Sequence, residues 1–286
     1  MPIKYISVAL IAFFSESIDS SLGMGYGTIL TPILIFIGFE PLEIIPLILL
    51  SEFITGLLSA LMHHQKGNVN LSIKSREFKV AIILASCSIV GTVFAAFIAI
   101  SVSKTFITGY ISFLLMIIGV STFTSIKKEY KFSWLKIFFL GITASFNKGM
   151  SGGGYGPLVT GGQLLSGLKS KNAVGITSLA EGLTSLVGTI TYFMINQGKS
   201  DYFLGLSLIA GAILSIPISV NIVKIINEKL FKKMLSLSIL SLGIFTFFKT
   251  YSYLFNYTNL PLIFATILVT IPFAFHWGRT KSINID

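Results

Sequence analysis

The chain has 286 residues, of which 53% are hydrophobic and only 11% charged, and its mean hydropathy is +0.85. A soluble domain carries about a quarter charged residues, so the composition excludes one and defines an integral membrane protein. The formal charge of +10 lies in short loops between apolar runs, which is the signature of membrane topology and not of nucleic-acid binding.

The first apolar stretch, 3–18, lacks a small-residue cleavage site, because Glu16 and Asp19 stand where one would be. It reads as a membrane segment that stays in the mature chain. A glycine-rich break and a second short stretch, 28–38, follow. Longer helices are predicted over 41–65, 79–103 and 105–126. The same order then returns: short stretches at 134–146 and 157–168 flank a second break, and helices follow over 171–197, 202–224 and 231–249. One extra span is predicted at 256–277. Most of these runs approach the roughly 20 residues that cross a bilayer as a helix. They do not alternate as barrel strands do. The expected fold is an all-α polytopic membrane protein, a single transporter domain over 1–286, in the cell membrane. Cys87, the single cysteine, excludes an intrachain disulfide and a cysteine metal cluster.

The chain contains an internal repeat, 3–126 and 132–250. At an offset of 129, "LGMGYGTILT" (22–31) falls on "SGGGYGPLVT" (151–160), so that Gly23, Gly25, Tyr26, Gly27 and Thr31 align with Gly152, Gly154, Tyr155, Gly156 and Thr160. The same offset aligns Glu52 with Glu181 and Asp19 with Lys148. Each short pair either crosses once or returns as a hairpin. If it crosses once, Lys and Arg divide almost evenly between the two sides. If it returns, sixteen (66, 74, 76, 79, 127, 128, 131, 136, 169, 171, 224, 229, 232, 233, 279, 281) fall inside and four (4, 104, 199, 249) outside, with Lys148 set aside. The positive-inside rule selects the second, which makes the halves inverted repeats with the N-terminus outside and the C-terminus cytoplasmic.

Irregular backbone at membrane depth persists only where protein buries it or where it lines a polar cavity. Paired interruptions at matching places in two halves point to a transporter's binding site. The helix after each break offers free N–H groups and a positive dipole end, which suits an anion. Candidate substrate-binding residues are therefore Gly23, Gly25, Tyr26, Gly27, Asn147, Lys148, Ser151, Gly152, Gly153, Gly154, Tyr155 and Gly156. Ser20, Ser21 and Ser145 supply further hydroxyls. Gly91, Gly119, Gly205 and Gly243 read instead as helix-packing glycines.

Glu52 and Glu181 fall near the centres of long helices, where a carboxyl is costly and marks function, so they are the candidates for proton coupling. Thr55 and Thr184, three residues on, share their helical faces as candidate partners. Asp19 and Lys148 form a candidate ion pair, or Lys148 faces the substrate and Asp19 holds it. Glu16 has no assigned role. His63 and His64 are adjacent and point to different faces, so no metal site is expected. No cofactor motif and no nucleophile–base pair is present, and an enzyme is not expected.

The pattern of short helix, G-x-G-[YG]-G, short helix and long helix resembles the TauE/SafE sulfite exporter family, also called the toluene-sulfonate uptake permease family. The resemblance is carried by "SLGMGYGTILTPILIFIG" (21–38), "KGMSGGGYGPLVTGGQLLSG" (148–167), "GITSLAEGLTSLVG" (175–188) and "GNVN" (67–70). It implies a secondary transporter for a sulfur-containing or organic anion, with both glycine motifs in the path. The expected partners are a small anionic substrate, the lipid bilayer and protons, with a homo-oligomer left open. The alternative is a cation transporter or channel using the intramembrane carboxylates.

Overall fold

Hydrocarbon offers no hydrogen bonds, so a chain within it must pair its own backbone, and a helix does so within one segment. The computed structural model describes residues 2–23, 25–124, 132–196, 201–222, 233, 237, 240–241, 243–248 and 250–251, and among them it is all-helical. The order is α1 (Pro2–Leu22), α2 (Tyr26–Ile37), α3 (Pro41–Gln65), α4 (Arg76–Ser86), α5 (Ser88–Ser101), α6 (Lys104–Thr124), α7 (Trp134–Ser151), α8 (Tyr155–Leu165), α9 (Ser170–Asn196) and α10 (Tyr202–Ile222). Among the described residues six spans are long and apolar enough to cross a membrane: α1, α3, α4 with α5, α6, α9 and α10. The expected span at 256–277 lies outside the described residues, and so does much of 231–249.

Two predicted boundaries shift. The stretches 3–18 and 134–146 are longer helices, α1 and α7, which continue to the glycines and carry Glu16, Asp19 and Lys148 inside them. Helical backbone is self-satisfied, so a buried polar side chain is cheaper on a helix than on a loop. At 21 residues α1 is about 31 Å long, so it is not too short to span. The helix predicted over 79–103 is divided at Cys87, where the Ser88 hydroxyl donates to the Ala85 carbonyl at 2.5 Å and diverts it from the helical ladder.

The chain divides into two compact units. The first, 1–107 and 128–225, holds both glycine breaks. In it α1 and α2 fold back on each other: the Lys4 ammonium, at the start of α1, lies 3.9 Å over the ring of Phe39, just past the end of α2. The second pair does the same, since Leu135, Lys136 and Phe139 at the start of α7 line a common groove with Gly162 and Ser166 at the end of α8 and just beyond it. Side-chain contacts gather two opposite ends. Tyr5 donates to Asp201 at 3.0 Å and Lys104 pairs with Glu40 at 2.6 Å beside the start of α1. At the other end Asn172 donates to Glu77 at 3.1 Å, and Arg76 lies 5.1 Å from the ring of Phe132.

The long helices α3 and α9 pack antiparallel. Leu49 meets Gly188, Glu52 meets Ser185, Gly56 meets Gly182 and Ser59 meets Ser178, so partner numbers fall as numbers rise. A Cβ built on Gly56 would lie 2.8 Å from the Gly182 Cα, a crossing that only small residues permit. The contact pattern maps onto itself through the repeat: the offset of 129 carries Leu49 onto Ser178 and Ser59 onto Gly188, so the first and last of these contacts exchange. Likewise α1 packs along α10, while its equivalent α7 packs along α4 and α5.

Large apolar side chains on the outer faces, Phe14, Phe94, Phe97, Phe139, Leu206 and Leu214 among them, are exposed as a lipid-facing surface requires, while the interior is rich in buried Ser, Thr and acidic residues. In the second unit, 108–127 and 226–286, Gly119 packs on Leu240 and Gly243 on Met116. Gly91 lies against the backbone of Ile142 and Phe146, so these three glycines serve close packing as expected, and Gly205 meets only the Leu47 side chain.

The Ser59 and Ser178 hydroxyl oxygens are 3.3 Å apart. In a Cys87→Ser background, Ser59→Cys with Ser178→Cys is expected to crosslink within one chain under mild oxidation, and each single variant is not. Gel mobility with and without reductant checks it.

Candidate functional site

Each break begins with the same helix ending. Gly23 (φ 67°) follows α1, and its N–H donates to the Asp19 carbonyl at 2.6 Å. Gly152 (φ 69°) follows α7, and its N–H donates to the Lys148 carbonyl at 2.8 Å. The left-handed conformation explains why both positions are glycine. The two breaks then meet face to face. A Cβ on Gly27 would lie 1.9 Å from the Gly152 carbonyl oxygen, and one on Gly153 would lie 2.6 Å from the Gly27 carbonyl. The Gly154 N–H donates to Thr28 at 3.0 Å, and the Thr160 hydroxyl donates to the Gly23 carbonyl. Gly25 precedes α2 and its carbonyl accepts from Ile29 at 2.8 Å. Ser151, at the end of α7, accepts from the Gly153 N–H at 3.2 Å and donates to the Asn147 carbonyl at 2.8 Å. Tyr26 and Tyr155 begin α2 and α8, both fully buried, and Gly156 lies in the first turn of α8. The Tyr26 hydroxyl is 2.8 Å from that of Ser51, and Thr184 donates to Tyr155 at 3.3 Å.

Beside the breaks lies a buried charge cluster. The Lys148 ammonium, with no exposed surface, is paired with the Glu181 carboxylate at 2.6 Å and with that of Glu52. Glu52 also accepts the Gly27 N–H at 3.1 Å and the Ser185 hydroxyl at 3.4 Å. A carboxylate of the protein therefore occupies the amide at the start of α2 that the dipole argument offers to an anion. The ring of Tyr155 lies 6.0 Å from the Lys148 ammonium.

The expected Asp19–Lys148 pair is not formed. Lys148 extends into the crossing of α3 and α9, where two carboxylates converge, and Asp19 is in electrostatic range only, with its buried Oδ1 unpartnered. Thr55 does not serve Glu52 either: its hydroxyl faces α1 and donates to Glu16 at 3.1 Å, while Thr184 turns to Tyr155. Glu16 is fully buried, and Ser20 donates to it at 2.5 Å. The cluster thus holds Glu16, Asp19, Glu52 and Glu181 against one ammonium, and no three of these carboxyls, nor any other His, Cys, Asp or Glu among the described residues, converge to hold a metal ion. Sequence reasoning missed the cross-break bonds of Thr28 and Thr160 and left Glu16 without a role. Its spacing of three from Asp19, which puts both on one helical face, was the available signal.

Membrane-length helices around two abutting backbone breaks and a buried ion cluster define a polytopic membrane transporter. The sequence profile described as sulfite exporter TauE/SafE matches residues 8–246, and the chain belongs to that family. It is 30% identical over 240 residues to the probable membrane transporter protein YtnM of Bacillus subtilis (strain 168), covering 79% of this chain and 77% of that one. No solved structure gives a significant match.

Removing one member of a buried ion pair leaves an uncompensated charge and costs about 3–5 kcal/mol. Lys148→Ala is expected to lower the apparent Tm of the detergent-purified protein by more than Lys148→Met combined with Glu52→Gln and Glu181→Gln. Differential scanning fluorimetry makes the comparison.

Proposed function

We propose that the chain is a proton-coupled secondary transporter that moves a small sulfur-containing anion of the sulfite or sulfonate class by alternating access. The observation that carries this reading is the Lys148 ammonium, buried where the breaks meet and held by the two repeat-equivalent glutamates. While Glu52 and Glu181 are charged, Lys148 is fully answered and an anion is repelled. Protons on the two carboxyls leave the ammonium uncompensated in a low-dielectric site, and an anion then restores neutrality. Proton uptake by Glu52 also releases the Gly27 amide to the anion. Anion and protons share one loaded form, which couples them.

The alternating-access reading includes two inverted halves, with the N-terminus outside and the C-terminus cytoplasmic. Its support is the fold-back of both short pairs, the antiparallel α3–α9 contact and the loop charges. Impermeant thiol reagents on single cysteines are expected to label position 2 from outside and position 285 only after permeabilisation; labelling both from one side overturns it.

In proteoliposomes, sulfite uptake is expected to rise with an inward proton gradient. Glu181→Gln should flatten that dependence, and Lys148→Ala should cut uptake at least tenfold at equal incorporation. Wild-type behaviour from both variants removes them from the mechanism. The surplus of carboxyls over ammonium favours a second reading, a cation transporter or channel. Uptake of a monovalent cation that sulfite does not affect would select it.

A further inference from the structure

The last carbonyls of a helix have no intrahelical donor, and at a break within a membrane something else must satisfy them. At the end of α1 the Ser20 carbonyl is 2.8 Å from His63 Nε2. The Asn68 amide donates to His63 Nδ1 at 2.9 Å, so Nε2 carries the proton and donates to Ser20. At the end of α7 the Tyr192 hydroxyl donates to the Gly149 carbonyl at 2.6 Å. These are one feature built twice, since the repeat offset of 129 carries Ser20 onto Gly149 and His63 onto Tyr192. His63 and Tyr192 are both fully buried, each near the far end of its long helix, so neither bond is shared with water. Different chemistry at equivalent places performs the same act. The carbonyls concerned directly follow Asp19 and Lys148, the two charged residues that precede the breaks.

We propose that His63 and Tyr192 are a repeat-related pair of positioning residues. Each clamps the last turn of a broken helix to the neighbouring long helix and so sets where Asp19 and Lys148 stand in the charge cluster. The clamps are not equally tied down. Asn68 also reaches the Val220 carbonyl on α10 at 3.3 Å, so His63 joins α1, α3 and α10 through the loop "GNVN". Tyr192 joins α7 to α9 alone, while Gly149 packs on the Thr92 backbone of α5, where an added Cβ would lie 2.5 Å from the Thr92 carbonyl oxygen. The clamp at the second break, which carries Lys148, is the simpler one to open by a single hydroxyl.

Hydrogen exchange on the detergent-purified full chain tests the clamps directly and does not depend on transport. Tyr192→Phe, which removes one oxygen, is expected to speed exchange at least tenfold in peptides covering 149–156 and to leave 20–27 unchanged. His63→Leu should do the reverse, and His63→Gln, whose amide can donate to the same carbonyl, should restore slow exchange. Unchanged exchange at both breaks in Tyr192→Phe and His63→Leu, with helix content intact, overturns the proposal, as does failure of His63→Gln to differ from His63→Leu. The positioning role rests on the transport reading above. Its readout is sulfite uptake against external pH, where Tyr192→Phe is expected to displace the midpoint by at least half a unit and His63→Gln to keep the wild-type curve. An unmoved midpoint in Tyr192→Phe, with exchange faster, overturns the positioning of Lys148. If the wild-type protein moves no sulfite, the transport reading fails while the exchange data still decide the clamps.

Discussion

Lys148 has no contact with solvent, and the two carboxylates that hold it come from long helices of different halves. A lone ammonium at that depth would be prohibitively costly, so the site exists only when α3, α7 and α9 are assembled together. The rest of the interior follows from this. The abutting glycine backbones let α2 and α8 begin beside the cluster, and the Gly56–Gly182 crossing lets Glu52 and Glu181 reach one point. Around it Glu16 accepts the hydroxyls of Ser20 and Thr55, while Asp19 keeps a buried oxygen without a partner.

The scaffold is close to symmetric and its decoration is not. The helix endings at Gly23 and Gly152 agree in conformation and hydrogen bonding, and their capping donors sit at equivalent positions. Yet the turn before one break carries Glu16 and Asp19, and the equivalent places before the other carry Ser145 and Lys148. Glu52 accepts an amide at the start of α2, whereas Glu181 leaves Oε2 unpartnered. A repeated backbone thus presents an acidic half and a basic half to one interior.

Much of the fold was legible in the sequence because membranes impose a strong code. Helix order, both breaks and the packing glycines followed from hydrophobic length and glycine density. The helix ends did not: Asp19, Asn147 and Lys148 fall outside the predicted stretches 3–18 and 134–146, although a buried helix accommodates polar residues when neighbouring helices supply partners. Repeat alignment singled out Asp19, Glu52, Lys148 and Glu181 and offered Asp19 with Lys148 as one pairing, whereas Lys148 pairs with Glu52 and Glu181.

The sequence by itself determined the class, the repeat and the identity of the charged positions, because hydrocarbon penalises each exposed polar group whatever the rest of the chain does. The tertiary structure alone decided which charges meet. Equivalence under a repeat says that Asp19 and Lys148 occupy like places, not that they touch. Contact depends on which helices cross, and the antiparallel packing of α3 against α9 put two glutamates, not Asp19, at the reach of Lys148.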